Sequence, residues 1–157
     1  MIASIHRLLL RIYRLLPRWA RRRVVRTIAP SFTVGAICMI EHDHRLLLVR
    51  QSYRARWGIP GGLLQRGESA TAAAVREVRE EVGLEVELLG EPAVVVDADP
   101  RRVDVVFRAR PANGCDPDSA RPSSPEVVEV RWFPLSDLPE LQHESAFALA
   151  TLARADR

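Results

Sequence analysis

From Ile2 to Leu16 the apolar residues Ile2, Ile5, Leu8, Leu9, Ile12, Leu15 and Leu16 recur at three- and four-residue spacing, while Arg7, Arg11, Arg14 and Arg18 follow the same spacing out of phase. That period is the signature of an amphipathic helix with a basic face. Pro17 kinks or ends it, and Trp19 to Ile28 predicts a second, shorter basic helix before Pro30 closes the segment. Beyond Pro30 the pattern becomes that of strands. Phe32 to Ile40 and Leu46 to Gln51 flank a polar turn at Glu41 to Arg45 and predict a hairpin. A glycine-rich turn and one helix follow. Glu85 to Val96, Val103 to Arg108 and Val127 to Phe133 predict further strands, Pro111 to Pro125 a loop, and the chain after Leu135 a helical ending. No internal repeat is present. Strands mixed with a few separate helices predict an α+β protein, a mixed α/β/α sandwich, divided into a helical extension (residues 1–30) and a body (residues 31–157).

Composition narrows the class. The chain has 157 residues, 27% charged and 47% hydrophobic, which excludes collagen-like and disordered readings. A chain this long buries about 70% of its unfolded surface, so its core needs neither disulfide nor structural metal. Cys38 lies in an apolar run and Cys115 in a Pro/Gly/Asp stretch, with no CxxC, which favours a reducing compartment. Every basic residue is arginine, which excludes lysine chemistry of the Schiff-base or phosphate-loop kind. Uncharged stretches such as Val34 to Ile40 fall far short of the roughly 18 residues of a membrane span, and Arg11 and Arg14 interrupt the run a secretory signal would need. The expectation is a cytoplasmic protein.

The net charge of +3 conceals a division. Residues 1–40 hold eight arginines and no acid, leaving fifteen arginines against twenty acids in the rest. A split this steep marks an interaction segment. Residues 1–29 are therefore expected either to lie on an anionic membrane surface at the cytoplasmic side or to pack on the body or in a homodimer. Without interleaved aromatics they give no support to a nucleic-acid arm.

The chemistry concentrates at Gly61 to Leu84, GGLLQRGESATAAAVREVREEVGL, where a glycine-rich turn leads into a helix rich in acids. At about 100° per residue, with Glu77 at zero, Glu81 falls near 40°, Glu80 near 300° and Arg76 near 260°, opposite Val75, Val78 and Val82. Three carboxylates on one face repel unless cations sit among them. A hard divalent ion such as Mg²⁺ fits, since it takes oxygen ligands and shares its shell with substrate phosphates. Arg76 adds a fork able to lock one glutamate in place. The spacing Gly62, five residues, Glu68, seven residues, Arg76-Glu77-Val78-x-Glu80-Glu81-x-Gly83-Leu84 arises by chance in a chain this long on the order of once in ten million.

This segment resembles the Nudix box, and the chain resembles a Nudix hydrolase from about Phe32 to Leu141, including WGIPGG at Trp57 to Gly62, the strand Val103 to Arg108, and EVRWFPLSDLPEL at Glu129 to Leu141. The resemblance implies Mg²⁺-dependent (or Mn²⁺-dependent) hydrolysis of a nucleoside diphosphate linked to another group, by attack of water at phosphorus. It makes Glu77, Glu80 and Glu81 metal ligands together with the Gly61 carbonyl, Arg76 an orienting partner, and Glu68 and Gly62 supports. The general base stays open among Glu77, Glu80 and Glu126, the last resembling a loop acid used by some members.

Outside the box, Arg50, Arg54 and Arg56 are candidates to hold a diphosphate, against the alternative of ordinary exposed arginines, and Trp57 to stack on a base, against packing. Pro100, sixteen residues past Leu84, is similar to a proline of ADP-ribose-cleaving members. Two substrate readings stand level: ADP-ribose or a nucleotide sugar, and a nucleoside triphosphate. His42 and His44 read as solvated turn residues, and His143 receives no role. The alternative from another class is a ligand-sensing Nudix module without turnover, against which the intact acid set counts.

Overall fold

The computed structural model describes residues 13–29 and 31–155. The helix expected from Ile2 is described only over its last turn, residues 13–15, and the remainder lies outside the described residues, as does Pro30. The chain divides into two compact units between Phe32 and Thr33. The first contains helix α1 (Arg18–Ile28), which starts directly after Pro17.

The second unit holds strands β1 (Thr33–His42), β2 (Arg45–Gln51), β3 (Gly61–Leu63), β4 (Val86–Asp97), β5 (Arg102–Pro111) and β6 (Val127–Pro134), with helices α2 (Ala70–Val82) and α3 (His143–Ala155). The strands run in the order β4-β5-β1-β2-β6, with β3 paired to β1. β1 and β2 are both apolar at consecutive positions, as expected of strands covered on both faces. Ala36, Cys38, Ile40, Leu47 and Val49 point to a core shared with Ala73, Ala74, Val78 and Val82 of α2. Ile37, Met39, Leu46 and Leu48 point to a second core with Ala148 and Leu152 of α3. The result is the α/β/α layering expected from sequence.

The predicted hairpin exists only at its tip. β1 and β2 pair at Glu41 with Leu46 and at His42 with Arg45, with Asp43 and His44 at positive φ in the turn. The strands then part, because β1 lies parallel to β5 from Thr33 to Ile40 and also takes β3 at Gly35 to Ile37, while β2 pairs along β6. This splaying opens a mouth between the separated strands, and β3 delivers the glycine turn into it.

Local signals fix α2. The Ser69 hydroxyl accepts from the Ala72 N–H at 3.1 Å as N-cap, and Gly83, at φ 71°, ends the helix in the left-handed region that favours glycine. The predicted loop before β6 contains a short 3-10 turn at Pro117–Ser119 and supplies donors to the end of α2: Arg121 N–H to Val82 O at 3.1 Å and Ser123 N–H to Glu81 O at 3.0 Å. It thereby satisfies carbonyls that a helix end otherwise leaves bare. Among the described residues, no helix is long and apolar enough to cross a membrane.

Candidate active site

Between β3, α2, the loop preceding β6 and the start of α3 lies a cavity of about 540 Å³ lined by Gln51, Arg54, Gly61, Gly62, Glu77, Glu80, Glu81, Arg102, Glu126, Gln142 and Glu144, among others. Helical spacing brings the three box glutamates to its wall. Glu81 is only 6% exposed and accepts the Gly61 N–H at 3.0 Å. Burial pushes its carboxyl up to about 7, with Glu77 and Glu126 adding to the rise and the Gly61 N–H and Gln51 side chain opposing it. On the helical wheel Glu81 is the acid nearest the valine face, and that is why it is buried.

Arg76 organises the other acids. Its guanidinium donates to Glu68 at 2.8 and 3.0 Å, to Glu77 at 2.8 Å, to Glu80 at 3.0 Å and to Leu63 O at 3.3 Å. The Arg76 bonds and the Gln65 N–H hold the Glu68 carboxyl down to about 2, while its acidic partners push the Arg76 guanidinium above its ordinary value. Arg76 thus clamps the turn between β3 and α2 onto the helix. Gly62 is needed here for close approach: a β-carbon at this position would overlap the Glu77 carboxylate. Among the described residues, the carboxylates form no closed three-ligand group, because Glu77 and Glu80 turn towards Arg76 and Glu81 towards Gly61. Their donor chemistry nevertheless fits a hard divalent ion: Glu77, Glu80, Glu81 and Glu126 bring carboxylate oxygens to one cavity that Gly61 also lines.

Glu126 sits on the cavity rim with its backbone oxygen accepting from Ser52 N–H at 2.8 Å and its carboxylate accepting from the Tyr53 hydroxyl at 3.3 Å. The capping of α2 by the preceding loop is what carries it there. Of the arginines proposed to hold a diphosphate, the structure brings only Arg54 into the cavity, where it donates to Gln142 and Glu144, each at 3.0 Å. Arg50 lies outside, paired with Glu129 at 2.6 Å, and Arg56 is paired with Glu140 at 2.6 Å. Trp57 packs edge-on against Phe133, centroids 4.8 Å apart, in the core beneath α3. The placement has a backbone cause. Trp57 N–H bonds Glu140 O at 3.2 Å and Gln142 N–H bonds Trp57 O at 2.8 Å, so the segment before the glycine turn is sewn to the start of α3.

Sequence reasoning missed Gln51, Tyr53, Arg102, Gln142 and Glu144. None belongs to a motif; only the folded topology brings them to one mouth. Pro100 and His143 meet in an adjoining hollow of about 220 Å³ that shares Arg102 and Glu144 with the main cavity.

The fold and this carboxylate-bearing turn and helix coincide with a match to the NUDIX domain family model over residues 30–153. The chain belongs to the Nudix family. An ADP-ribose pyrophosphatase of Methanocaldococcus jannaschii is 30% identical over 71% of this chain and 66% of its own length. A human 8-oxo-dGDP phosphatase is 32% identical over 69% of this chain, which spans only 33% of that protein. A crystal structure of a MutT Nudix hydrolase from Burkholderia pseudomallei superposes with a TM-score of 0.65 at 30% identity, covering 78% of this chain and 99% of that one. The Nudix domain of this chain is thus similar throughout to pyrophosphohydrolases, and the acid-lined cavity is the part of it that bears the box.

Proposed function

We propose that this Nudix protein hydrolyses a diphosphate bond in a nucleoside diphosphate linked to another group, with ADP-ribose, a nucleotide sugar or a nucleoside triphosphate as the substrate class. The observation that carries the proposal is the convergence of all three box glutamates and Glu126 on one cavity whose wall also bears Arg54 and Arg102. Acids there can manage a cation and a water, while the arginines can neutralise phosphoryl oxygens.

A divalent ion, Mg²⁺ or Mn²⁺, held by Glu77, Glu80, Glu81 and the Gly61 carbonyl would supply charge neutralisation at phosphorus and a lowered pKa of bound water. The chain's own residues do the rest. Arg76 fixes the rotamers of Glu77 and Glu80, Glu68 anchors Arg76, and Gly62 leaves room for the Glu77 carboxylate. Glu80 and Glu126, both exposed to the cavity, are the carboxylates with open access to accept the proton of the attacking water.

The test is a hydrolysis screen over ADP-ribose, nucleotide sugars, dinucleotides and nucleoside triphosphates with Mg²⁺, with products identified, on the parent chain and Glu80→Gln. Turnover of at least one substrate class, lost in the variant with its thermal unfolding unchanged, is expected. Tight ligand binding without product at any Mg²⁺ or Mn²⁺ concentration would instead establish a sensing module.

A further inference from the structure

The catalytic reading leaves α1 without a purpose, and its side chains sort into four ridges of residues four apart, one of them Arg21 and Val25. Of the other three, Arg18, Arg22 and Arg26 form one, Trp19, Arg23 and Thr27 the next, and Leu16, Ala20, Val24 and Ile28 the third, with Trp19, Arg23 and Thr27 on the border shared by the basic and apolar sides. No residue of α1 is buried, and Trp19 and Ile28 are 72% and 78% exposed. Arg21 alone is spent internally: it donates to Leu16 O at 2.8 Å and Arg14 O at 2.6 Å and lies over the Tyr13 ring, stapling the bend at Pro17. Among the described residues, Arg18, Arg22, Arg23 and Arg26 make no ion pair, and with no acid in residues 1–40 none is available from the segment itself.

We infer that this segment docks the protein on an anionic lipid surface, with the ridge of Leu16, Ala20, Val24 and Ile28 entering the headgroup layer. Charge alone would suit any polyanion. Along the apolar ridge Leu16, Ala20 and Val24 are half-buried and Ile28 is exposed, and such a ridge beside an arginine ridge suits a partner offering both negative charge and apolar depth, which a bilayer interface does. An aromatic ring on the border between the two, as at Trp19, matches the headgroup level, where amphipathic rings settle. The sequence before α1 repeats the pattern, with Ile5, Leu8, Leu9 and Ile12 set against Arg7 and Arg11.

Full-length protein is sedimented with vesicles of phosphatidylcholine alone and of phosphatidylcholine with phosphatidylglycerol at low and high salt. The expected result is salt-sensitive binding to the phosphatidylglycerol vesicles only. The triple substitution Arg18→Gln, Arg22→Gln, Arg26→Gln is expected to weaken it about a hundredfold, at roughly a factor of five per arginine. A blue shift of tryptophan emission on binding is expected in the parent and absent in Trp19→Phe, and both variants should keep the parent's thermal unfolding. The inference is overturned by a failure to bind phosphatidylglycerol vesicles, by equal binding to both vesicle types, by undiminished binding of the triple variant, or by tighter binding to a DNA or RNA oligonucleotide than to the vesicles.

Discussion

Substituting Gly62 by alanine separates catalytic geometry from stability with one methyl group. A β-carbon built at Gly62 lies 2.5 Å from Glu77 Cδ and 2.8 Å from its Oε2, whereas ordinary contact begins near 3.4 Å, so the carboxylate must withdraw by roughly 1 Å. The obstacle is the end of a side chain, which can swing, so the backbone of β3 need not move. The cost is the disturbed Arg76–Glu77 bond plus residual overlap, about 1–2 kcal/mol, or a fall in melting temperature of about 3–8 °C for a domain of this size. Activity should suffer far more, because a displacement of about 1 Å at a catalytic group costs on the order of a hundredfold in rate. Calorimetric unfolding and hydrolysis kinetics of parent, Gly62→Ala, Glu77→Ala and the double variant form the assay. In the Glu77→Ala background the alanine at 62 meets no carboxylate and should cost little. Equal destabilisation in both backgrounds, or a Gly62→Ala enzyme at parental rate, would refute the reasoning.

Three further outcomes follow from the same geometry. In chelator, the Glu81 carboxyl, pushed up to about 7 by burial, makes the folded state bind its proton more tightly than the unfolded chain does; its destabilising ionisation is absent at low pH and grows as pH rises from about 4.5 to 7. Glu81→Gln should therefore be more stable than the parent at pH 8, by up to about 3 kcal/mol, with the difference vanishing near pH 4.5; a pH-independent difference in denaturant titrations would contradict this. Arg54→Met is expected to raise KM about tenfold through loss of a cavity cation, whereas Arg56→Met, whose arginine pairs with Glu140 outside the cavity, should leave both KM and kcat within twofold; steady-state kinetics of the two variants decide it. Gly83→Ala forces a β-carbon into φ 71° and towards the Ser123 hydroxyl, costing about 1–2 kcal/mol in thermal unfolding.

The legible parts of the sequence were those carried by local period and local chemistry. The valine face, the three acids and the capping residues of α2 all lie within one segment, so a wheel and a spacing rule place them. The apolar runs of β1 and β2 announce two strands and the polar turn between them. What stayed hidden was set by long-range partners. β1 and β2 read as an ordinary hairpin because nothing local announces that β5, over sixty residues later, claims one flank of β1. Glu85 to Val96 reads as one continuous strand, yet the register of β4 slips between Leu89 and Ala93, beside Gly90 and Pro92, which break the ladder. Arg50, Arg54 and Arg56 look alike in sequence. Only the positions of Glu129 and Glu140 decide which of them is left facing the cavity. Glu81 reads as one of three acids opposite the valines, yet it is the acid nearest to them on the wheel, and the structure buries it.

The splayed first strand also orders events in time. Arg76 binds Glu68, eight residues away, and Glu81 meets Gly61, twenty away, so the turn and helix bearing the acids close short loops soon after they are synthesised. β1 waits longer: its parallel neighbour begins at Arg102, and that pairing closes a loop of about seventy residues. The box lies wholly between β1 and β5 in sequence, so the strand that seats it completes its pairing only after the box itself has been made. Substitutions in β5, remote in sequence from the box, should slow refolding followed by tryptophan fluorescence more than Glu80→Gln does.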